Sequence, residues 1–188
     1  MLLLFNCAFP IGILHGQKIK LLLDFKNRAT SGRWMVVNDT VMGGVSQSGF
    51  SYNHSEGYLL FKGNVSTDFG GGFASLRTGY ENWEIDNAEG FVIKVKGDNK
   101  TYQFRCRLGN DFDGVAYRHY FEAKNVDWQL IRLPFSEFVP TFRGRTLEGF
   151  PVLDSNEIRR LGLMISDKQV GNFQLKIAWI MVEGYRDD

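Results

Sequence analysis

The sequence predicts an all-β protein, a jelly-roll β-sandwich built from two antiparallel sheets. Three observations carry that expectation. Apolar and polar residues alternate in many short runs bounded by turn-forming residues, the period-2 pattern of half-buried strands. Aromatic residues make up 14% of the 188 residues, sixteen of them phenylalanine, and suit pleated surfaces, while 21 glycines supply turns. No stretch keeps apolar residues at helical spacing over the length of a helix. A closed barrel of eight to ten strands is the architecture that competes with the sandwich.

Taken in order, the chain opens with an apolar segment. Residues 2–14 contain ten hydrophobic residues in thirteen, interrupted by Pro10, with no basic residue before them. That is too short to span a bilayer as a helix. It reads either as the apolar region of a secretory signal, which would make the protein periplasmic or secreted, or as an accessory segment packed on the core of a cytoplasmic one. Residues 1–18 are therefore set apart, and 19–188 are expected to form one domain. Strands are predicted over residues 19–25, 34–37, 58–65, 73–78 and 91–96. In the last, Phe91, Ile93 and Val95 share one face.

The clearest hairpin follows. Tyr102, Phe104, Cys106 and Leu108 share one face of residues 101–108, and Gln103, Arg105 and Arg107 the other. Residues 109–114 turn the chain, and 115–122 return it with Val115, Tyr117, His119 and Phe121 on one face. Arg118 then falls on the same polar side as Arg105 and Arg107. Further strands are expected over 128–133, 158–165 and 173–182, the last with Phe173, Leu175, Ile177, Trp179 and Met181 in one row. Residues 135–157 show no strand pattern.

Charge and chemistry narrow the function. Formal net charge is +1, with +3 over residues 1–80 and −2 over 81–188, which gives neither a nucleic-acid-binding arm nor an acidic tail. Two cysteines exclude a disulfide scaffold and an iron–sulfur protein. His15, His54 and His119 lie at no metal-ligand spacing, so no metal and no cofactor is expected. Asn110, Asp111 and Asp113 could offer oxygens to calcium, but an ordinary hairpin loop has the same residues. Gly70-Gly71-Gly72 has Ser75 where a dinucleotide fingerprint needs glycine and no helix pattern after it, so a close backbone approach explains it better. Ser46, in Gly44-Val45-Ser46-Gln47-Ser48, lacks the second glycine of a nucleophile elbow. Nothing argues for catalysis; an enzyme reading would need a cleft holding two carboxylates or a histidine–carboxylate pair. The positive signal is Arg105 and Arg107, with Arg118 beside them: either a solvated outer face or a recognition surface for a carboxylate, sugar or protein.

One block is more specific. Trp34-Met35-Val36-Val37-Asn38-Asp39-Thr40-Val41-Met42-Gly43-Gly44-Val45-Ser46 resembles the signature of the complex I intermediate-associated protein 30 family. Phe61-Lys62-Gly63-Asn64-Val65-Ser66, Gly71-Gly72-Phe73-Ala74-Ser75-Leu76-Arg77, Leu133-Pro134-Phe135 and Ile158-Arg159-Arg160-Leu161-Gly162 match further along, so the resemblance spans roughly residues 21–184. It implies a galactose-binding-domain-like sandwich and a non-enzymatic role as an assembly chaperone for respiratory complex I, acting on protein partners. A carbohydrate-binding module of an exported protein is the alternative. Mitochondrial import is not supported, since the chain shows no Arg/Ser-rich presequence. Partner- or ligand-binding candidates are Asn38, Asp39, Met42, Gly43, Arg77, Arg105 and Arg107. Asn38 and Asp39 can brace a turn with their side chains, and Gly43 permits dihedrals closed to other residues. Arg77 either braces the Asp39 loop or faces a ligand. No nucleic-acid partner and no transmembrane span are expected.

Overall fold

The computed structural model describes residues 18–185 apart from Val126. The apolar segment 2–14 lies outside the described residues. Among them are thirteen strands and no α-helix. In chain order the strands are β1 (Lys18–Asp24), β2 (Trp34–Asn38), β3 (Gln47–Asn53), β4 (Tyr58–Val65), β5 (Ala74–Thr78), β6 (Gly90–Lys96) and β7 (Lys100–Leu108). Then come β8 (Ala116–Ala123), β9 (Gln129–Pro134), β10 (Val139–Phe142), β11 (Arg145–Thr146), β12 (Ile158–Ile165) and β13 (Gly171–Tyr185).

They form two sheets with antiparallel pairing throughout, the sandwich the alternation predicts, and not a closed barrel. One sheet runs β3-β4-β13-β6-β9, with β1 also on β13. The other runs β11-β10-β8-β7-β12-β5-β2. Inward rows from both sheets meet in a single apolar core. Phe91, Ile93 and Val95 of β6 face Phe104 and its neighbours on β7, and Phe135 and Phe138 close one end around Phe91. Phe61 and Phe173 pack edge to face, with ring centroids 4.9 Å apart. Packing of this kind adds roughly 0.5–1.5 kcal/mol per aromatic pair beyond burial of area.

Two irregularities decide which side chains reach which face. In β13 the register shifts between Ile177 and Trp179. Phe173, Leu175 and Ile177 point inward as the pattern predicts, but beyond the bulge Ile180 and Val182 are the buried residues and Trp179 and Met181 are half-buried. A bulge adds one residue to a strand and so reverses its alternation, which is why the expected Trp179–Met181 row turns over. In β12 a shift between Ile158 and Arg160 lets Ile158 and Leu161 both enter the core. Arg160 and Gly162 are thereby set on the outer face. The expected strandless stretch 135–157 contains two short strands, β10 and β11, which extend the sheet beyond β8. Strand β3 also lacks a sequence signal: Gln47, Ser51 and Asn53 are polar, as suits a sheet edge. No helix among the described residues is long and apolar enough to cross a membrane.

Candidate functional site

The outer face of the seven-stranded sheet carries a cluster of arginines. Strand pairing places them. Arg105 on β7 lies opposite Arg118 on β8 and opposite Gly162 on β12. Gly162 in turn lies opposite Arg77 on β5, and Arg160 on β12 lies opposite Arg107 on β7. Strand side chains alternate between faces, so these residues share one surface. Gly162 is thus enclosed by Arg77 and Arg105 on its two sides, by Arg160 two residues away along its own strand, and by Arg107 on the diagonal.

These are not solvated side chains. Arg77 is 9% exposed, Arg105 8%, Arg107 5% and Arg160 9%. Arg105 donates to Gln103 Oε1 at 3.0 Å, to Met164 Sδ at 3.0 Å and to Thr141 Oγ1 at 3.3 Å, all neutral acceptors. Arg77 donates to Phe112 O and forms an ion pair with Asp113, both at 2.9 Å. The Phe112 ring lies under two guanidinium groups, 4.8 Å from that of Arg77 and 5.6 Å from that of Arg160. The β7–β8 turn is thereby folded over one side of the cluster. Tyr80, with its ring 5.5 Å from Arg160, and Tyr120, 5.0 Å from Arg118, border the face and are part-exposed. The Nε atoms of Arg105, Arg107 and Arg160 are buried with no hydrogen-bond partner. Burial, then the charges of Arg77 and Arg118, push the Arg105 guanidinium down to about 10. Burial, then Arg77 and Arg105, push Arg107 down to about 9. The arrangement concentrates positive charge that the protein itself leaves largely unneutralised.

The signature loop is organised differently. Asp39 is fully buried in a 3-10 turn (Asp39–Met42) that follows β2. Its carboxylate accepts four hydrogen bonds: from Ser46 N at 2.9 Å, Ser46 Oγ at 2.5 Å, Gly72 N at 2.7 Å and Phe73 N at 3.2 Å. Burial opposes ionisation, but those bonds outweigh it and hold the carboxyl below its ordinary value. A Cβ on Gly44 would lie 2.5 Å from Asp39 Cγ, and one on Gly71 2.6 Å from Asp39 Oδ2. Both glycines therefore let backbone close over the carboxylate, the close approach expected of Gly70-Gly71-Gly72. Gly43 ends the turn at φ +91°, in the left-handed region. Asn38 Oδ1 accepts from Ser48 Oγ at 2.6 Å. Met42 is 61% exposed, and Trp34 is in the core. Of the two roles expected for Arg77, bracing the Asp39 loop is not the one the structure gives: the arginine's ion pair is with Asp113, and Asp39 has four other donors.

His119 Nε2 lies 3.0 Å from Glu137 Oε2, and Nδ1 lies 2.7 Å from Tyr120 O. Both ring nitrogens are engaged, and the ring sits against Phe138 with centroids 5.4 Å apart. The pair braces β8 against the turn after β9. A broad depression of about 910 Å³ lies elsewhere, on the six-stranded sheet, where Gln47, Lys62 and Asn172 line an open surface. Its charged lining residues are Lys62 and Asp98, whereas the arginine face gathers several charges of one sign.

Sequence reasoning found Arg77, Arg105 and Arg107 but not Arg160, Gly162 or Phe112. The signal for Arg160 was present in Ile158-Arg159-Arg160-Leu161-Gly162, but only the bulge decides which of two adjacent arginines faces outward. Phe112 reads as part of a turn, and nothing local says that the turn folds onto the sheet.

Comparison with solved structures supports the fold. The family 11 carbohydrate-binding module of the cellulase Lic26A-Cel5E from Clostridium thermocellum superposes with a TM-score of 0.68 at 15% identity, covering 91% of this chain and 97% of that one. A family 29 carbohydrate-binding module variant gives a TM-score of 0.52 at 8% identity, covering 90% of this chain and 87% of that one. These are galactose-binding-like sandwiches. In sequence, an uncharacterised protein of Schizosaccharomyces pombe is 28% identical over 74% of this chain and 72% of its own length. The mitochondrial complex I intermediate-associated protein 30 of Drosophila melanogaster is 24% identical over 93% of this chain, and that of Mus musculus 24% identical over 88%. The chain spans 66% and 56% of the fly and mouse proteins' lengths. The family model of complex I intermediate-associated protein 30 (CIA30) matches residues 23–177, most of the sandwich and all of the signature blocks, and the chain belongs to that family.

Proposed function

We propose that the chain is a non-enzymatic protein-binding module acting in the assembly of respiratory complex I, and that it meets its partner through the outer face of the seven-stranded sheet. The observation that carries the reading is the combination of family membership with four arginines at or below 9% exposure, three of them with an unpartnered Nε. Buried cations cost free energy unless something compensates them. Here one carboxylate, Asp113, pairs with Arg77, and the partners of Arg105 and Arg160 are neutral, which leaves charge for an external group to meet. The His119–Glu137 pair has both imidazole nitrogens engaged and braces β8.

Loss of the chain from its host is expected to deplete assembled complex I on native gels, and crosslinking in native cells is expected to recover a specific protein partner. Normal complex I together with no crosslinked partner would overturn the proposal. Glycan binding is the second reading. Tyr80 and Tyr120 are part-exposed beside hydrogen-bonding groups on one sheet face, the kind of platform on which a sugar ring can stack. A structural neighbour was solved with a β-1,3-1,4-mixed-linked tetrasaccharide. A glycan array with no signal above background removes this reading.

A further inference from the structure

We propose that the four arginines around Gly162 form a receptor for the carboxylates of an acidic, extended segment of a partner protein. This rests on the reading of the chain as a protein-binding module and names what the site takes.

The argument begins with Gly162. A Cβ at this position would lie 3.0 Å from Leu76 O, 3.7 Å from Arg77 Cγ and 3.8 Å from Arg105 Cβ. The glycine therefore lets the two arginine stems pack closely across the β12 backbone in the middle of the sheet. Arg160 and Arg107 complete the surround. Charge around Gly162 is one-sided. Asp113 contacts Arg77 with a side chain that is 81% exposed, and Asp167 lies at the far end beside Gln103. The neutral acceptors on Arg105 leave its charge uncompensated.

The donor chemistry selects the ligand group. A guanidinium presents its Nε and Nη donors as a planar fork that matches a carboxylate with two parallel hydrogen bonds. Three buried Nε atoms have no such partner. Spacing then selects the ligand's form. Arg105 and Arg107 are two residues apart on one strand, as Arg160 and Gly162 are, so their stems repeat every ~6.7 Å. Alternate side chains of an extended peptide repeat at the same interval. A segment with acidic residues at i and i+2, lying along β7 and β12, would present one carboxylate between Arg77 and Arg105 and the next to Arg107 and Arg160. Phe112 and Tyr80 would wall the second position on the β5 side.

The test is calorimetric titration of the purified protein with a capped Glu-Ser-Glu-Ser-Glu peptide, its Gln-Ser-Gln-Ser-Gln counterpart and an oligogalacturonate. The glutamate peptide is expected to bind, with affinity falling as salt rises, and the glutamine peptide to bind at least tenfold more weakly. Arg107→Met and Arg105→Gln are each expected to weaken the glutamate peptide at least tenfold, whereas Lys62→Gln, on the six-stranded sheet, leaves it unchanged. Gly162→Ala, which pushes a Cβ against Leu76 O and the two arginine stems without altering charge, is expected to weaken it similarly; far-ultraviolet circular dichroism checks that each variant is folded. Absence of glutamate-peptide binding, equal binding of the two peptides, tighter binding of the oligogalacturonate, or full retention of affinity in folded Arg107→Met would each overturn the proposal. A complex I defect and a crosslinked partner that persist alongside such a result would leave the protein-binding function standing and remove only its acidic ligand.

Discussion

Among the described residues the protein buries charge in two places and treats it in opposite ways. At the signature loop one carboxylate is enclosed by four donors, and two glycines admit backbone against it. On the outer sheet face four guanidinium groups are almost as deeply covered, and three of them retain a donor with no acceptor. The first arrangement closes on itself. It ties the chain after β2 to the segments before β3 and β5, and its anion is spent on holding loops together. The second stays electrically open. Equal burial of a charge thus says little about its role; the state of its hydrogen bonds separates a brace from a receptor.

Removing the anion breaks this comparison most severely. Asp39→Ala should strand the N–H groups of Ser46, Gly72 and Phe73 and cost about 3–5 kcal/mol, the penalty for breaking a buried charged network. Thermal melting should show a fall in Tm on the order of 10 °C; a shift below a few degrees would mean that water takes over the carboxylate's work. Because the folded-state pKa of Asp39 lies below the ordinary 3.8, its contribution is complete above that pH and is lost as pH falls through the folded value. The stability gap between the native chain and Asp39→Asn should narrow only in that acidic range.

Removing a cation should do the reverse. Arg107→Met deletes an uncompensated buried charge and keeps the volume, so stability should rise by about 1–2 kcal/mol, visible as a higher denaturant midpoint. A clear loss of stability would show that Arg107 is an internal brace after all. Its folded-state value of about 9 lies below the usual 12.5, so the unfolded chain binds more protons above pH 9 and stability grows with pH there. The advantage of Arg107→Met should therefore be full below pH 9 and shrink above it. The smallest effect belongs to Asp113→Asn. Its side chain is 81% exposed, and an ion pair so wet should change stability by no more than about 1 kcal/mol. A larger loss would place the β7–β8 turn among the elements that hold the face together.

Much of the sandwich was legible from alternation alone. The runs at β4, β7 and β12 read correctly because Phe61, Phe104 and Leu163 belong to a face with a continuous apolar row. Strand β3 was not legible because an edge strand gains its partner from β4 and not from its own hydrophobicity. Trp179 and Met181 were placed on the wrong side because a bulge is a property of two strands together. The site was half legible for the same reason. Arg105 and Arg107 alternate visibly within one regular strand, but their burial depends on Arg77 and Arg160 from strands distant in sequence. Asp39 stood out by its motif, and only the three-dimensional fold shows that its carboxylate accepts from four protein donors.

Strand β13 carries a temporal consequence. Its first half pairs with β4 through Gly171–Ile177, its second half with β1 through Trp179–Tyr185, and β6 runs along its other edge. Until residues 171–185 have left the ribosome, the hairpin β3–β4 and the pair β6–β9 share no hydrogen-bonded neighbour. The nascent chain must wait with the inward faces of these pairs unjoined, and a chaperone that shields it during translation should matter more for this protein than for one whose central strand is made first.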